Sequence, residues 1–253
     1  MTKVNVYGID GKSKEKIDLP KIFDTPVRTD LIQKSFKVLR ANKRQPYGSD
    51  PRAGAKHATA SVGKGRGMSR VPRLTQGRAA ALAPCVVGGR RAHPPKSVKN
   101  WKEKINKKEK KLALKSAIAA TSKKELVSQR GHKFNEEISL PIVIDDKFEN
   151  TKKTKKALDT FKKMNIYEDI ERAREGKHIR SGKGKGRGRK YKTPKSILLV
   201  TTKEKTRKCV RNLPGVDVVL PDQINIENLA PGGNPGRLTV FTKSAIKKIG
   251  GAN

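Results

Sequence analysis

The hydrophobic pattern at the start of the chain predicts a small β-hairpin followed by a helix. Apolar and polar residues alternate in segment 3–7, a Gly-Ile-Asp-Gly turn follows, and alternation resumes at Ile17 and Leu19. A period of two is typical of strands. From Thr29 to Leu39 the apolar residues instead recur at helical spacing, and Thr29 or Asp30 is available to cap that helix.

The second half of the chain alternates strand patterns with helix patterns. Nearly all-apolar runs predict buried strands at 140–144, 196–201, 216–220 and 238–241. Helical patterns occupy 105–120, 122–131, 157–164, 166–175, 203–212, 222–229 and 244–249. Buried strands separated by helices imply right-handed crossovers. We therefore predict an α/β fold, with a mainly parallel four-stranded sheet and helices on both faces.

Local sequence signals predict where three of these helices begin or end. Ser122 and Glu125 have the spacing of a capping box, which would start the helix that Gly131 ends. Gly176 is placed to end the helix of 166–175, and Thr242 to cap the last helix.

Residues 40–102, which we call the arm, encode no packed core. Eight Gly and six Pro interrupt the arm, and its branched aliphatic residues follow neither a helical nor a strand period. Irregular loops longer than about 15 residues are functional or disordered. We predict that residues 1–39 and 103–253 form the globular body, and that the arm is a long irregular extended loop inserted near its N-terminus.

Charge changes the picture from an unusual loop to a binding segment. The 253 residues contain 60 Lys and Arg against 23 Asp and Glu, a net charge of +37. The arm carries +14, and a second basic insert, residues 177–195, carries +9 with no acid. Such a charge implies a polyanionic partner. No apolar run of about 18 residues, basic amphipathic helix or signal peptide points to a membrane, so we expect a cytoplasmic nucleic-acid binder.

Metal and cofactor chemistry find little support in the sequence. Cys85 and Cys209 lie far apart, outside any C-x-x-C pair, and the four histidines are scattered, so we expect inert thiols and no metal site. Gly and basic residues alternate in 63–67 and 182–188. Neither run has the spacing of a nucleotide-binding loop, and we expect no cofactor. The alternation suits a flexible backbone laid along phosphates, the alternative being a solvated disordered segment.

The basic residues of the two segments are the candidate RNA contacts. Arginine adds forked guanidinium groups that bridge phosphates or stack on bases. The predicted RNA-binding residues are Arg52, Lys56, Lys64, Arg66, Arg70, Arg73, Arg78, Arg90, Arg91, Lys96, Lys183, Lys185, Arg187, Arg189 and Lys190. Tyr47 and Trp101 flank the arm at its roots, where they either pack locally or stack on bases.

Specific residues near the end of the chain resemble a known family. The run Leu229 to Ala245 reads LAPGGNPGRLTVFTKSA, and the arm contains Gly-Lys-Gly-Arg at 63–66 and Val-Pro-Arg at 71–73. Together they resemble the universal large-subunit ribosomal protein number four, in its archaeal and eukaryotic branch. The similarity covers essentially the whole chain. One departure is the Ala-rich stretch 79–87, where eukaryotic relatives have Gly and Met.

The resemblance implies a location and a set of partners. Members of that family have an α/β body on the outside of the large subunit and a loop that penetrates the rRNA. The tip of that loop helps to line the polypeptide exit tunnel, and members support early subunit assembly. Gly63, Lys64, Gly65 and Arg66 match the motif near the tunnel narrowing, and basic loop positions match 73, 90 and 91. The implied partners are large-subunit rRNA, neighbouring ribosomal proteins and the nascent polypeptide.

Three functions are weighed against one another. We expect a non-enzymatic structural protein of the large ribosomal subunit, with no catalytic residues. The first rival is a regulatory or architectural RNA binder outside the ribosome, which co-sedimentation with large subunits at high salt would separate. The second is an enzyme using Asp145 and Asp146, which follow a predicted strand where α/β sheets bind ligands. Acids at that position are more often turn or cap residues.

Overall fold

The structure is a computed structural model that describes residues 3–135 and 137–251. The predicted body also includes residues 1, 2, 136, 252 and 253, which lie outside the described residues. Contacts divide the chain into two compact units, one up to Arg40 and from Lys104 onward, the other Ala41–Glu103. The second unit holds all of the arm except Arg40.

The described residues form ten strands and eight α-helices. The strands are β1 (Lys3–Tyr7), β2 (Ser13–Asp18), β3 (Thr59–Ala60), β4 (Arg73–Leu74), β5 (Ile142–Ile144), β6 (His178–Ile179), β7 (Tyr191–Lys192), β8 (Leu198–Val200), β9 (Asp217–Val219) and β10 (Thr239–Thr242). The helices are α1 (Thr29–Asn42), α2 (Lys107–Ala120), α3 (Lys124–Gln129), α4 (Thr154–Lys163), α5 (Tyr167–Glu175), α6 (Glu204–Val210), α7 (Ile226–Leu229) and α8 (Lys243–Gly251). Short 3-10 turns lie at Lys21–Asp24, Asp146–Asn150, Lys183–Arg187, Pro221–Gln223 and Pro231–Gly233.

The first unit is built on a six-stranded sheet in the order β2-β1-β5-β10-β8-β9. The α/β class and the mainly parallel sheet are confirmed, but the prediction of four strands was wrong. The N-terminal hairpin joins the sheet because β1 pairs parallel to β5, with Val6 opposite Val143. Strand β2 pairs antiparallel to β1 and forms one edge. Its charged sequence, SKEKID, protects that edge from further pairing.

Alternate residues of the strands enter two cores, one on each face. Val143 and Phe241 lie in a core with residues of α1, α2, α7 and α8. Ile142 and Val240, their chain neighbours, lie in a second core with residues of α3 to α6. Because strand side chains alternate between faces, this division confirms the prediction that helices cover both faces.

The capping predictions had different outcomes. Thr242 caps the last helix as predicted, since its Oγ1 accepts a hydrogen bond from the Ala245 N–H at 3.3 Å. The capping box was wrong: Ser122 donates its hydroxyl to the Ala119 carbonyl at 2.7 Å, and α3 begins without a side-chain cap at Lys123. Helix α2 ends at Ala120, so the Ala119 carbonyl in its last turn is free of an intrahelical i+4 partner and accepts the Ser122 hydroxyl.

Candidate nucleic-acid interface

The arm is held by backbone turns and by one arginine rather than by a core. Ala81 is the only buried residue of the unit 41–103. Strands β3 and β4 pair antiparallel over two residues. Arg73, half-buried, donates from Nη1 to the Arg78 carbonyl at 2.6 Å and from Nη2 to Ser69 Oγ at 3.2 Å. Arg73 therefore organises the loop, while its role as an RNA contact stays a prediction.

The Gly-Lys-Gly-Arg motif of the arm depends on backbone conformation. Gly63, Gly65 and Gly67 have φ values of +75°, +77° and +61°, in the left-handed region that side chains disfavour. A Cβ added at any of the three would meet nothing within 4 Å. Glycine is thus required there by conformation and not by space, and the intervening Lys64 and Arg66 are exposed.

The predicted RNA-contact residues are exposed, with a single exception. Fourteen of the fifteen are exposed, and only Arg73 is half-buried. Within residues 3–135 and 137–251, Lys56 is the only one of them in an ion pair, at 2.6 Å from Asp50. The arm and the second insert thus present nearly all of these cations to solvent.

At the root of the arm, Tyr47 and Trp101 pack together. Their rings stack with centroids 5.9 Å apart and an interplanar angle of 21°. The guanidinium of Arg44 lies 3.8 Å from the Trp101 ring centroid and 5.3 Å from that of Tyr47. Arg44 was missing from the predicted contacts, although a cation three residues before an aromatic at a loop root was a usable signal.

The second basic insert forms a short hairpin. Strands β6 and β7 pair antiparallel, with Ile179 opposite Tyr191. Both side chains are exposed, and Lys177 lies 4.7 Å from the Tyr191 ring centroid. The turn Lys183–Arg187 between the strands is flanked by glycines at positive φ. Three of the predicted contacts, Lys183, Lys185 and Arg187, lie in this turn, and Arg189 and Lys190 lie between it and β7.

The arginine of the C-terminal motif serves the body and not its surface. Arg237 is fully buried. It donates to the backbone carbonyls of Ser196 at 2.8 Å and Asn228 at 2.9 Å, and forms an ion pair with Asp217 at 2.8 Å. Burial lowers the pKa of Arg237. Burial would raise the pKa of Asp217, but Arg237 and Lys195 together outweigh burial and lower it.

A second buried network lies beside α5. Asp169 is fully buried and accepts hydrogen bonds from His132 Nδ1 at 3.0 Å, Arg172 Nε at 2.9 Å and Ser196 Oγ at 2.9 Å. Burial favours the uncharged ring and lowers the pKa of His132. Burial alone would raise the pKa of Asp169, but its donors hold it below the usual range. These groups hold the body together.

The carboxyl edge of the sheet carries a carboxylate satisfied by threonines. Glu149, 2% exposed, accepts from Thr242 Oγ1 at 2.7 Å, Thr202 Oγ1 at 2.6 Å, the Thr202 N–H at 2.8 Å and Thr201 Oγ1 at 3.1 Å. These threonines end or follow strands β8 and β10. Burial would raise the pKa of Glu149, yet the four donors outweigh burial and lower it. The edge that binds ligands in other α/β sheets is here an internal brace.

The two acids considered for catalysis take structural roles. Asp145 pairs with Lys14 at 3.1 Å, and burial, which would raise its pKa, is outweighed by this and neighbouring donors that lower it. Asp146 accepts a hydrogen bond from the backbone N–H of Ser244 at 2.8 Å. Each acid binds another element of the first unit, as expected of turn and cap residues.

Two further site types are absent from the described part of the chain. No group of three or more His, Cys, Asp or Glu side chains in residues 3–135 and 137–251 is placed to hold a metal ion. Across these same residues, no helix combines the length and apolar content needed to cross a bilayer.

Comparison with known proteins supports the motif resemblance. The model of the ribosomal protein L4/L1 family matches residues 17–252. Large ribosomal subunit protein uL4 of Thermoplasma acidophilum is 48% identical over 248 residues, covering 98% of this chain and 97% of that protein. The same-named protein of Methanococcoides burtonii is 50% identical over 252 residues, covering 99% of each chain. That of Methanocaldococcus jannaschii is 49% identical over 248 residues, covering 98% of each.

Proposed function

The chain belongs to the ribosomal protein L4/L1 family, and from that premise we propose that it binds large-subunit rRNA through the arm and the second basic insert. The family match confirms the predicted resemblance, and the similar proteins named above are archaeal. The family is one of structural ribosomal proteins and not of enzymes. As a large-subunit protein, the chain acts in the cytoplasm with rRNA and other ribosomal proteins as partners.

The observation that supports rRNA binding is that two segments, the arm and the second basic insert, carry many cations that no acid among the described residues neutralises. The exposed cations of the arm and the second insert face solvent, with Asp50 as the only acid in those segments. Each phosphate contact releases a counterion, so many such contacts give strong, salt-dependent binding. Phosphate contacts carry no base sequence. Specificity then comes from the shape of the folded rRNA and from the register that the body imposes.

The finer part of the proposal concerns the tip of the arm. Gly63, Lys64, Gly65 and Arg66 lie close to the polypeptide exit tunnel, near the nascent chain, and the arm supports early assembly of the subunit. Small residues suit a narrow passage walled by RNA, and the left-handed glycines let the chain turn there without a side chain. Each half of the arm, about 30 residues long, spans at most roughly 100 Å when extended.

Cys85 provides a direct test of where the arm lies. It is exposed, whereas Cys209 is buried, so an iron chelate attached to the native protein reacts at the arm alone. In reconstituted large subunits, hydroxyl radicals from this position should cleave rRNA that lines the tunnel interior. A matched control moves the chelate to the exposed face of α4 in a Cys85→Ser, Lys155→Cys variant, which should cleave different nucleotides.

A second experiment tests the division of labour between the arm and the body. A chain in which a short Gly-Ser linker replaces 54–95 should still incorporate into large subunits, and should lose rRNA protection only around the tunnel interior. If the full chain protects no large-subunit rRNA beyond salt-labile contacts, the ribosomal role fails. An RNA binder outside the ribosome would then be the better account.

A further inference from the structure

The root of the arm contains an open cavity of about 630 Å³. Tyr47 lines it from one limb of the unit 41–103, and the other limb contributes Arg91, His93, Lys96, Lys99 and Trp101 with neighbouring Pro and Val residues. This volume lies within the roughly 300–1,000 Å³ of small-ligand pockets. None of its lining residues is acidic, so the cavity favours an anionic or electron-rich ligand.

Backbone contacts between the limbs fix the walls of this cavity. The Ser49 N–H donates to the Pro95 carbonyl at 3.0 Å. A Cβ on Gly48 would lie 2.6 Å from the Ser97 nitrogen, so only glycine permits this approach. Asn42 closes the root by accepting from the Glu103 N–H at 3.0 Å and donating to the Glu103 carbonyl at 3.2 Å. The two limbs beside the cavity are therefore joined by a backbone hydrogen bond and by the side chain of Asn42.

One feature of the cavity exceeds what phosphate binding requires. Tyr47 is 50% exposed, although its ring belongs to an aromatic stack with Trp101. Lysines and arginines alone serve a phosphate, whereas an exposed aromatic ring is a surface on which a nucleobase can stack.

We propose that this cavity binds one unstacked nucleobase of RNA. The base stacks against the exposed ring of Tyr47, and Arg91 and Lys96 contact the phosphates on either side. The assignment rests on the proposed rRNA-binding function and deepens it. It adds contact with a base at the root of an arm whose other proposed contacts are with RNA phosphates.

Trp101 is the only tryptophan in the chain, so its fluorescence reports this cavity in the full-length protein. The probes are single-stranded octamers of adenosine, cytidine or uridine, and an abasic ribose-phosphate octamer of equal charge, each carrying a dye. Anisotropy measures binding and tryptophan emission measures occupancy of the cavity. We expect all four to bind, but only the base-containing octamers to quench Trp101, with about tenfold tighter binding for the best of them.

Matched tyrosine variants separate the cavity from general charge. Tyr47→Leu should abolish both the quenching and the tenfold preference, whereas Tyr47→Phe should keep them. Tyr191→Leu is the control, because Tyr191 is 51% exposed beside lysines in the second insert, and it should leave the Trp101 signal unchanged. An unchanged emission maximum in the free Tyr47→Leu protein shows that the root remains folded. If the maximum shifts, the test is instead whether Tyr47→Phe keeps the quenching and the tenfold preference.

The outcomes distinguish this inference from the function beneath it. If the abasic octamer binds as tightly as the others and none quenches Trp101, the base pocket is overturned while RNA binding stands. If no octamer binds even at low salt and large-subunit rRNA is not bound either, the proposed function itself fails. Equal quenching by Tyr47→Leu and the unaltered protein would also overturn the stacking assignment.

Discussion

Arg237 and Arg66 carry the same charge in two units that use it differently. Arg237 is fully buried and its guanidinium donates to carbonyls of residues 196, 197, 215 and 228. Arg66 is exposed in the arm. In the core of the first unit, the charge of Arg237 is buried among carbonyls and a carboxylate that pair with it. In the arm, the chain leaves its cations for a partner to satisfy.

Glu149 and Asp169 extend the same contrast to carboxylates. Both are buried in the first unit and each accepts several hydrogen bonds. Breaking such a buried network by removing one member leaves charged or polar groups without partners. An exposed side chain in the arm has no such network to lose. Substitutions of these buried groups should therefore affect folding, and substitutions of the exposed cations of the arm should affect binding.

The largest effect is expected at the buried arginine. Arg237→Met should destabilise the protein by about 3 to 5 kcal/mol, because it strips donors from several buried carbonyls and removes a charge from beside Asp217. Arg237→Lys should recover little, since an ammonium lacks the fork that reaches several carbonyls. Urea unfolding followed by circular dichroism measures the change.

Arg66→Met is the matched control for that substitution. It should change the free energy of unfolding by less than about 0.5 kcal/mol, as expected of an exposed side chain, and should weaken binding to large-subunit rRNA. Equal stability losses in the two variants would show that charge in the arm is also structural, and the contrast between the units would fail.

A smaller loss is expected at the threonine-bound carboxylate. Glu149→Gln places an amide NH₂ group against hydroxyl and N–H donors, which should cost about 2 to 3 kcal/mol at neutral pH. Glu204→Gln, on the exposed surface of α6, should change stability by less than about 0.5 kcal/mol. Thermal unfolding at pH 7 separates the two.

The pH dependence of the same variants sharpens the assignment. The folded-state pKa of Glu149 is lowered, so its contribution to stability is complete above the unfolded value of about 4.3 and is lost as pH falls through the folded value. Asp169 acts with the same sign. Glu149→Gln should therefore lose less stability than the unaltered protein between pH 5 and pH 3. An equal loss would mean that Glu149 is not the group being protonated.

Much of the first unit could be predicted because its signals are local. Continuous apolar runs predict β5, β8, β9 and β10, and helical spacing predicts the helices between them. The pairing of β1 with β5 was missed because it joins residues more than 130 positions apart, and no local period records such a partner. Ser122 failed as a cap for a related reason: the neighbouring helix end competes for its hydroxyl.

The candidate interface was predicted in composition but not in geometry. Clusters of Lys and Arg between glycines are visible in the sequence, and the structure leaves 14 of the 15 predicted residues exposed. The burial of Arg237 was not visible, because its four acceptor carbonyls lie in three separate segments of the chain. The cavity beside Tyr47 was equally hidden, since contacts between distant limbs of the arm form it.

Removing two charges from the tip of the arm should weaken binding without affecting folding. The double variant Lys64→Ala, Arg66→Ala should bind large-subunit rRNA with a shallower salt dependence. If each cation contacts one phosphate, the magnitude of the slope of log K for binding against log salt should fall by about 1.5. Lys155→Ala with Lys208→Ala, exposed on α4 and α6, removes the same charge from the first unit. Filter binding at several salt concentrations compares the two. Similar slopes would mean that the arm has no special role in binding.

The smallest expected effect isolates backbone conformation from charge. Gly65 has φ of +77° and Gly186 does not adopt a positive φ, while a Cβ at either position meets nothing within 4 Å. Gly65→Ala should therefore strain the tip by about 1 to 2 kcal/mol, which reshapes the loop and weakens rRNA binding severalfold. Gly186→Ala, in an equally basic run, should bind as the unaltered protein does. Because neither change alters charge or fills space, a loss confined to Gly65→Ala would show that the partner reads the shape of the arm as well as its charge. An equal effect of both would leave charge alone as the basis of binding.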